Sequence, residues 1–307
     1  MIICCGEALI DMLPRRSTLD EPAFSPYSGG AVFNTAIALG RLGTPVEFFS
    51  GLSSDLFGEQ LRATLAGSRV GSRYAHISNR STTLAFVRLV DGQASYLFYD
   101  EGTAGRMLSE ADLPDFEGNV DALIFGAISL IPEPCGSAYE ALMRREADRR
   151  VTMLDPNIRP AFIPDRDRHL ARIGRMIAMA DILKLSDEDV TWFGEAGETD
   201  DVISHWLDRG PKFIVVTQGS KGAVGYTKNH KVTVTPKPVT VVDTVGAGDT
   251  FNAGILASLH DQGLLSKERL AALTETEMNA ALTLGAAAAA VTVSRAGANP
   301  PWRRELD

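Results

Sequence analysis

The chain has 307 residues, 45% of them hydrophobic and 22% charged, with a formal net charge of -9, which allows a sizeable core in one large domain. An acidic balance with a pI near 5.1 is the wrong sign for a phosphate-backbone binder. Nucleic acid is therefore excluded as a partner, and any polyanionic ligand must be held by local cations, backbone amides or metal.

No apolar run reaches the ~18 residues of a membrane span, so no membrane partner is expected. The opening MIICCGEALIDM meets Glu7 and Asp11 too early for a signal peptide. Cys4, Cys5 and Cys135 show neither metal-ligand spacing nor a disulfide framework. A cytoplasmic protein is expected.

MIICC reads as a buried strand, with Cys4 and Cys5 on opposite faces. Pro14–Tyr27 is polar and carries prolines. Residues 31–43, AVFNTAIALGRLG, read as a helix stopped by Gly43. PVEFFSG follows as a strand and FGEQLRATLAG as a helix. Thr82–Tyr99 alternates in polarity and contains Asp91-Gly92, a hairpin signal. DALIFGA, VTMLD, DILKL and KFIVVT are short runs rich in Val, Ile and Leu. Continuous apolar strands between helices predict an α/β fold, a doubly wound, mostly parallel sheet with helices on both faces. The two stretches that break this rhythm predict a small antiparallel β flap. AAAAA at 286–290 sits inside a helical pattern and predicts a tightly packed helix.

The most informative segment is VDTVGAGDTFNAG, Val242 to Gly254. After the glycine turn, Phe251, Ile255, Leu256 and Leu259 recur at helical spacing. Asp249 is open to two readings. It can be the N-cap of this helix, since Asp is a preferred cap. Alternatively, the amides of Gly246, Ala247 and Gly248 form an anion hole at the positive end of the helix dipole, with Asp249 at its edge to take a proton from an attacking hydroxyl. TQGSKGAVG, residues 217–225, is a second glycine-rich segment, directly after the strand KFIVVT. It reads either as a plain hairpin turn or as a ligand loop at the end of an α/β strand. No G-x-x-x-x-G-K-[ST] loop occurs.

DTVGAGDTFNAG resembles the C-terminal signature of the ribokinase-like, PfkB-type carbohydrate kinases. GEALIDM and SGGAVFNTAIALGRLG are similar to the sugar-binding segments of that family, and with DPNIRP (Asp155–Pro160) the combination is closest to its bacterial fructokinases. The resemblance runs over essentially the whole chain. It implies one ribokinase-like domain over 1–307, with a β lid of about 13–28 and 82–105 that closes over the sugar. It implies Asp249 as catalytic base and Gly246, Ala247 and Gly248 as the anion hole. Asp11, Gly29, Gly30, Asn34 and Arg159 would bind the sugar. Thr217, Gly219, Ser220, Lys221 and Gly222 would bind ATP, with Lys184 near the phosphates. Each sugar residue has a plainer reading: Asn34 as a first-turn helix residue, Asp11 as a turn cap, Arg159 as the partner of a surface carboxylate.

The chain departs from the family in two places. Where many relatives carry N-x-x-E to organise Mg²⁺ through water, this chain has Ser186-Asp187-Glu188-Asp189, leaving open whether Glu188 or Asp189 serves. A monovalent-cation site, for potassium, would use Asp243 and the carbonyls of Val245, Thr292, Arg295 and Gly297. Pro301 stands where some relatives offer a serine hydroxyl. The resemblance implies an ATP- and Mg²⁺-dependent kinase acting on a neutral ketohexose, D-fructose first, to give fructose 6-phosphate. The alternatives are a 2-keto-3-deoxygluconate kinase and a non-catalytic sugar or nucleotide sensor. The flap also offers a surface on which two copies could pair.

Overall fold

A computed structural model of the chain describes residues 1–90, 93–194 and 199–306. The chain opens with β1 (Ile2–Cys5), β2 (Leu9–Arg16) and β3 (Pro22–Gly29), then α1 (Ala31–Arg41), β4 (Val46–Phe49) and β5 (Gly51–Ser53). Next come α2 (Leu56–Gly67), β6 (His76–Ser78), β7 (Leu84–Val90), β8 (Gln93–Tyr99) and β9 (Ala122–Gly126). The middle of the chain is α3 (Cys135–Glu146), β10 (Val151–Asp155), α4 (Arg166–Met179), β11 (Ile182–Ser186), α5 (Asp187–Phe193), α6 (Thr199–Arg209) and β12 (Phe213–Thr217). It ends with β13 (Ala223–Tyr226), β14 (Lys231–Val234), α7 (Ala247–Asp261), α8 (Lys267–Ala271) and α9 (Glu275–Val293).

The large sheet runs β14-β13-β12-β11-β10-β9-β1-β4. It is parallel from β4 to β12, and β13 and β14 add an antiparallel edge. Alternate side chains feed two cores, because successive strand residues face opposite ways. Ile2 and Cys4 join the core that packs α1, α7 and α9, whereas Ile3 and Cys5 join the core that packs α3, α4 and α6. All the central strands were legible as continuous apolar runs, since both faces are covered.

The flap is a four-stranded sheet, β3-β2-β7-β8. Its outer pairs are antiparallel, but β2 and β7 join in parallel, Ile10 opposite Leu84 and Asp11 opposite Ala85. Alternation within each hairpin specifies the hairpins and not how they meet. The Asp91-Gly92 signal lies outside the described residues. Phe98 on β8 packs edge-on against Phe162, ring centroids 4.8 Å apart, which docks the flap onto the segment after β10. The alanine-rich α9 lies against α7, where a Cβ on Gly254 would come within 2.5 Å of the Gly285 Cα. Small residues there permit close helix contact.

β1, β9, β10, β11 and β12 all end on the same side of the sheet, where α/β folds present ligands. Among the described residues, no helix is long and apolar enough to cross a membrane.

Candidate active site

The helix that carries Asp249 starts two residues earlier than its periodicity predicts. Gly246 is the N-cap, with φ 77°, and Ala247, Gly248 and Asp249 form the first turn of α7. The N-cap reading of Asp249 is therefore corrected: its side chain accepts no capping bond. Only a glycine fits at 246, because φ is left-handed and a Cβ would stand 2.7 Å from that of Ala298. The Ala247 amide donates to the Thr244 carbonyl at 3.3 Å. The amides of Gly246, Gly248 and Asp249 find no acceptor among the described residues. They are open donors at the helix N-terminus, and of the three amides expected to form the anion hole only that of Ala247 is already bonded.

The Asp249 carboxylate is 7% exposed and accepts from Asn34 Nδ2 at 2.9 Å. Burial pushes its carboxyl up to about 7; the Asn34 bond and Lys184 pull it down, and Asp155 and Glu7 add to the rise. A carboxylate poised near neutrality is suited to general base work.

Lys184 is buried on β11 and donates to Asp155 Oδ2 at 3.1 Å. Burial alone would push its ammonium down, but Asp155, Asp189 and Asp249 outweigh this and hold it above the ordinary lysine range. A Cβ on Gly248 would lie 3.2 Å from Lys184 Nζ, so the ammonium stands against the first turn of α7. Ser186 and Asp189 form a reciprocal capping box at the start of α5. Asp189 Oδ2 accepts from the Ser186 amide and hydroxyl at 2.8 Å, and its Oδ1 accepts from the Ile158 amide at 2.8 Å. The Asp189 carboxylate is thus occupied, whereas the exposed Glu188 carboxylate accepts nothing among the described residues.

On the sugar side, Asp11 lies on β2 beside Gly29, where a Cβ would come within 2.2 Å of its Oδ2. Burial pushes the Asp11 carboxyl up to about 6, and it caps no turn. Gly30, with φ 112°, is the N-cap of α1, and Asn34 follows in the first turn. Arg159 is exposed, its Nη1 donating to the Ile158 carbonyl at 2.9 Å; no carboxylate pairs with it among the described residues. A cavity of about 1010 Å³ under the lid is lined by Glu7, Thr83, Phe98, Asp100, Arg106 and Phe162 among others. Arg106 turns inward and meets Asp100, Nη1 to Oδ2 3.7 Å. Asp100 Oδ1 accepts from the hydroxyls of Thr83 and Thr103 at 2.9 and 3.0 Å.

The segment Thr217–Gly222 is a hairpin turn and also lies at the ligand end of β12. Gly219 and Gly222 have φ 56° and 103°, and Ser220 and Lys221 are exposed. Asp243 gathers the proposed cation residues: its carboxylate accepts from the amides of Val245 at 3.0 Å and Gly297 at 2.9 Å. The Thr292 carbonyl accepts from Arg295 at 3.1 Å, and that of Gly297 from Asn299 at 2.8 Å. A cation there must use the remaining lone pairs.

Three residues were missed from sequence. Glu7 Oε1 accepts from the amides of Ala31 and Val32 at 2.7 and 3.3 Å, and burial pushes its carboxyl up to about 7. The signal was a helix start, SGGAVFN, with no Ser, Thr or Asp at the N-cap, which demands an outside acceptor. Asn252, three residues after Asp249 and so on its helix face, donates to Asp155 Oδ2 at 2.6 Å. Asp155 itself closes β10, at the ligand end of the sheet.

A family model described as pfkB family carbohydrate kinase matches residues 1–304. A fructokinase of Rhizobium leguminosarum bv. trifolii is 61% identical over 275 residues, covering 90% of this chain and 84% of the relative. The probable fructokinase-6, chloroplastic, of Arabidopsis thaliana is 36% identical over 310 residues, covering 97% and 79%. Among solved structures, the fructokinase of Xylella fastidiosa with bound ATP matches with a TM-score of 0.90 at 28% identity, covering 99% of this chain and 97% of that one.

Proposed function

The chain belongs to the pfkB family of carbohydrate kinases, and we propose that it transfers the γ-phosphate of ATP to the primary hydroxyl of D-fructose, giving fructose 6-phosphate. The observation that carries this reading is the buried Asp249 carboxylate in the first turn of α7, with open amides beside it, Asn34 donating to it from α1 and the Lys184 ammonium of β11 standing against the same turn.

Asp249 takes the proton of the attacking hydroxyl. Asp11 and Asn34 accept and donate to the sugar's other hydroxyls, and the approach of Gly29 and Gly30 leaves room for the ring. The Gly248 and Asp249 amides and the Lys184 ammonium face the charge that gathers on the transferred phosphoryl group. The nucleotide lies along Thr217–Gly222, with Lys221 free to reach it. The lid excludes water, the competing acceptor. Mg²⁺ neutralises phosphate charge when bound; it needs only one or two protein oxygens and keeps its waters, and Glu188 is the carboxylate free to hold it. Potassium at Asp243 would support the anion-hole loop without being essential. Two copies pair through the apolar lid face of Phe24, Phe86, Leu97 and Tyr99, of which all but Phe86 are largely exposed.

A neutral ketohexose is favoured over 2-keto-3-deoxygluconate because the cavity's Arg106 is already paired with Asp100. A coupled ADP-release assay over fructose, other hexoses and 2-keto-3-deoxygluconate tests the reading. Fructose should give the highest kcat/KM, and no turnover of any sugar would refute it.

A further inference from the structure

We propose that Asp155 is a positioning residue of the transfer site: clamped by Asn252, it holds the Lys184 ammonium against the first turn of α7 and away from Asp249. This deepens the kinase reading and rests on it.

Asp155 is 4% exposed at the end of β10 and is held from three directions. Its Oδ2 accepts from Lys184 Nζ at 3.1 Å and from Asn252 Nδ2 at 2.6 Å, and its Oδ1 accepts from the Asn157 amide at 3.1 Å. Asn157 adopts φ 42°, so the backbone turns back on the carboxylate in a conformation that costs energy unless its surroundings enforce it. Asn252 is 2% exposed and lies on the same face of α7 as Asp249; its Oδ1 finds no donor among the described residues. One carboxylate thereby ties β10, β11 and α7 together at the point where Lys184 approaches Gly248.

The arrangement settles a competition. A buried ammonium seeks a carboxylate, and Asp155, Asp189 and Asp249 all act on Lys184; Asp189 already accepts from Ser186 and Ile158, which leaves Asp155 and Asp249 as the competitors. Paired with Asp249, Lys184 would stabilise the ionised base and weaken it as a proton acceptor. Paired with Asp155, it stays charged and beside the open amides, while the Asp155 charge adds to the basicity of Asp249. The other groups that face Asp249 are Asn34 from α1 and Glu7 after β1, and both remain in place when Asp155 is changed.

The test is Asp155→Asn, which keeps shape and removes charge. At saturating fructose and ATP, kcat should fall by about 10-fold or more, the order of cost of misplacing a catalytic group. The acidic limb of the kcat profile should move to lower pH. ATP binding by calorimetry should be no weaker than in the parent, because a negative charge has left the phosphate side. An unmoved limb with kcat within two-fold of the parent overturns the proposal. So does weaker ATP binding together with a lowered melting temperature, the pattern of a merely structural residue. If Asp155→Asn does not fold, Asn252→Ala loosens the same carboxylate and should shift kcat and the limb in the same directions by smaller steps; parent values there also overturn it. A parent that turns over no sugar fails the kinase reading alone. The ATP titration then still decides the Asp155 assignment, with weaker binding in Asp155→Asn against it.

Discussion

Replacing Asp249 by Asn should lower the rate and raise the stability at once. In the folded chain burial pushes this carboxyl from the ordinary 3.8 to about 7. The folded state therefore holds the proton more tightly than the unfolded chain. The group's contribution to stability is fully present below about pH 4 and is lost as pH rises through about 7. One unit corresponds to about 1.4 kcal/mol, so keeping Asp249 ionised at pH 8 costs up to about 4 kcal/mol. Asparagine has no proton to lose, and its amide oxygen can still accept from Asn34. Parent and variant melts should nearly coincide near pH 4. At pH 8 the variant should melt several degrees higher, at about 2 °C per kcal/mol for a chain of this size. Its kcat with fructose should fall by ~10²–10⁴-fold, the worth of a positioned base. The assay pairs thermal melts at both pH values with steady-state rates on the same preparation. A variant no more stable than the parent at pH 8 refutes the buried-charge reasoning. A kcat within ten-fold of the parent refutes the base.

The parent should prefer fructose over 2-keto-3-deoxygluconate by at least ~10-fold in kcat/KM, or ~1.4 kcal/mol; Asp100→Asn should narrow that gap by freeing Arg106 for the acid's carboxylate, and a parent that favours the acid would reverse the substrate assignment. Activity should rise only modestly when KCl replaces choline chloride at constant ionic strength. Complete inactivity without potassium, or no response, contradicts that expectation. Light scattering should find a dimer that Leu97→Lys converts to monomer, and a monomeric parent at assay concentration counts against lid pairing.

The parallel strands of the large sheet, the start of α1 and the glycine turn before Asp249 were all readable because each is local. An apolar run buried on both faces, a helical period and a left-handed glycine leave their marks within a dozen residues. The motif also marked Asp249 as either cap or base, since both roles use the same residue at the same helix end. The tertiary structure removes the cap reading by placing Gly246 at the cap, and it sets Asn34, 215 residues away in sequence, on the carboxylate.

Other parts of the site have no local mark. The parallel join of β2 to β7 pairs strands from two separate hairpins, and the Arg106–Asp100 pair depends on a bend that no period encodes. Asp189 looks like the acidic end of a metal motif, yet its oxygens already accept from Ser186 and Ile158. Asp155 and Asn252 stand 97 residues apart and become partners only because β10 ends where α7 begins. Sequence period determines which residues face inward along each element. Which inward-facing charges meet is decided by the order of strands in the sheet, and with it the proton affinity of Asp249.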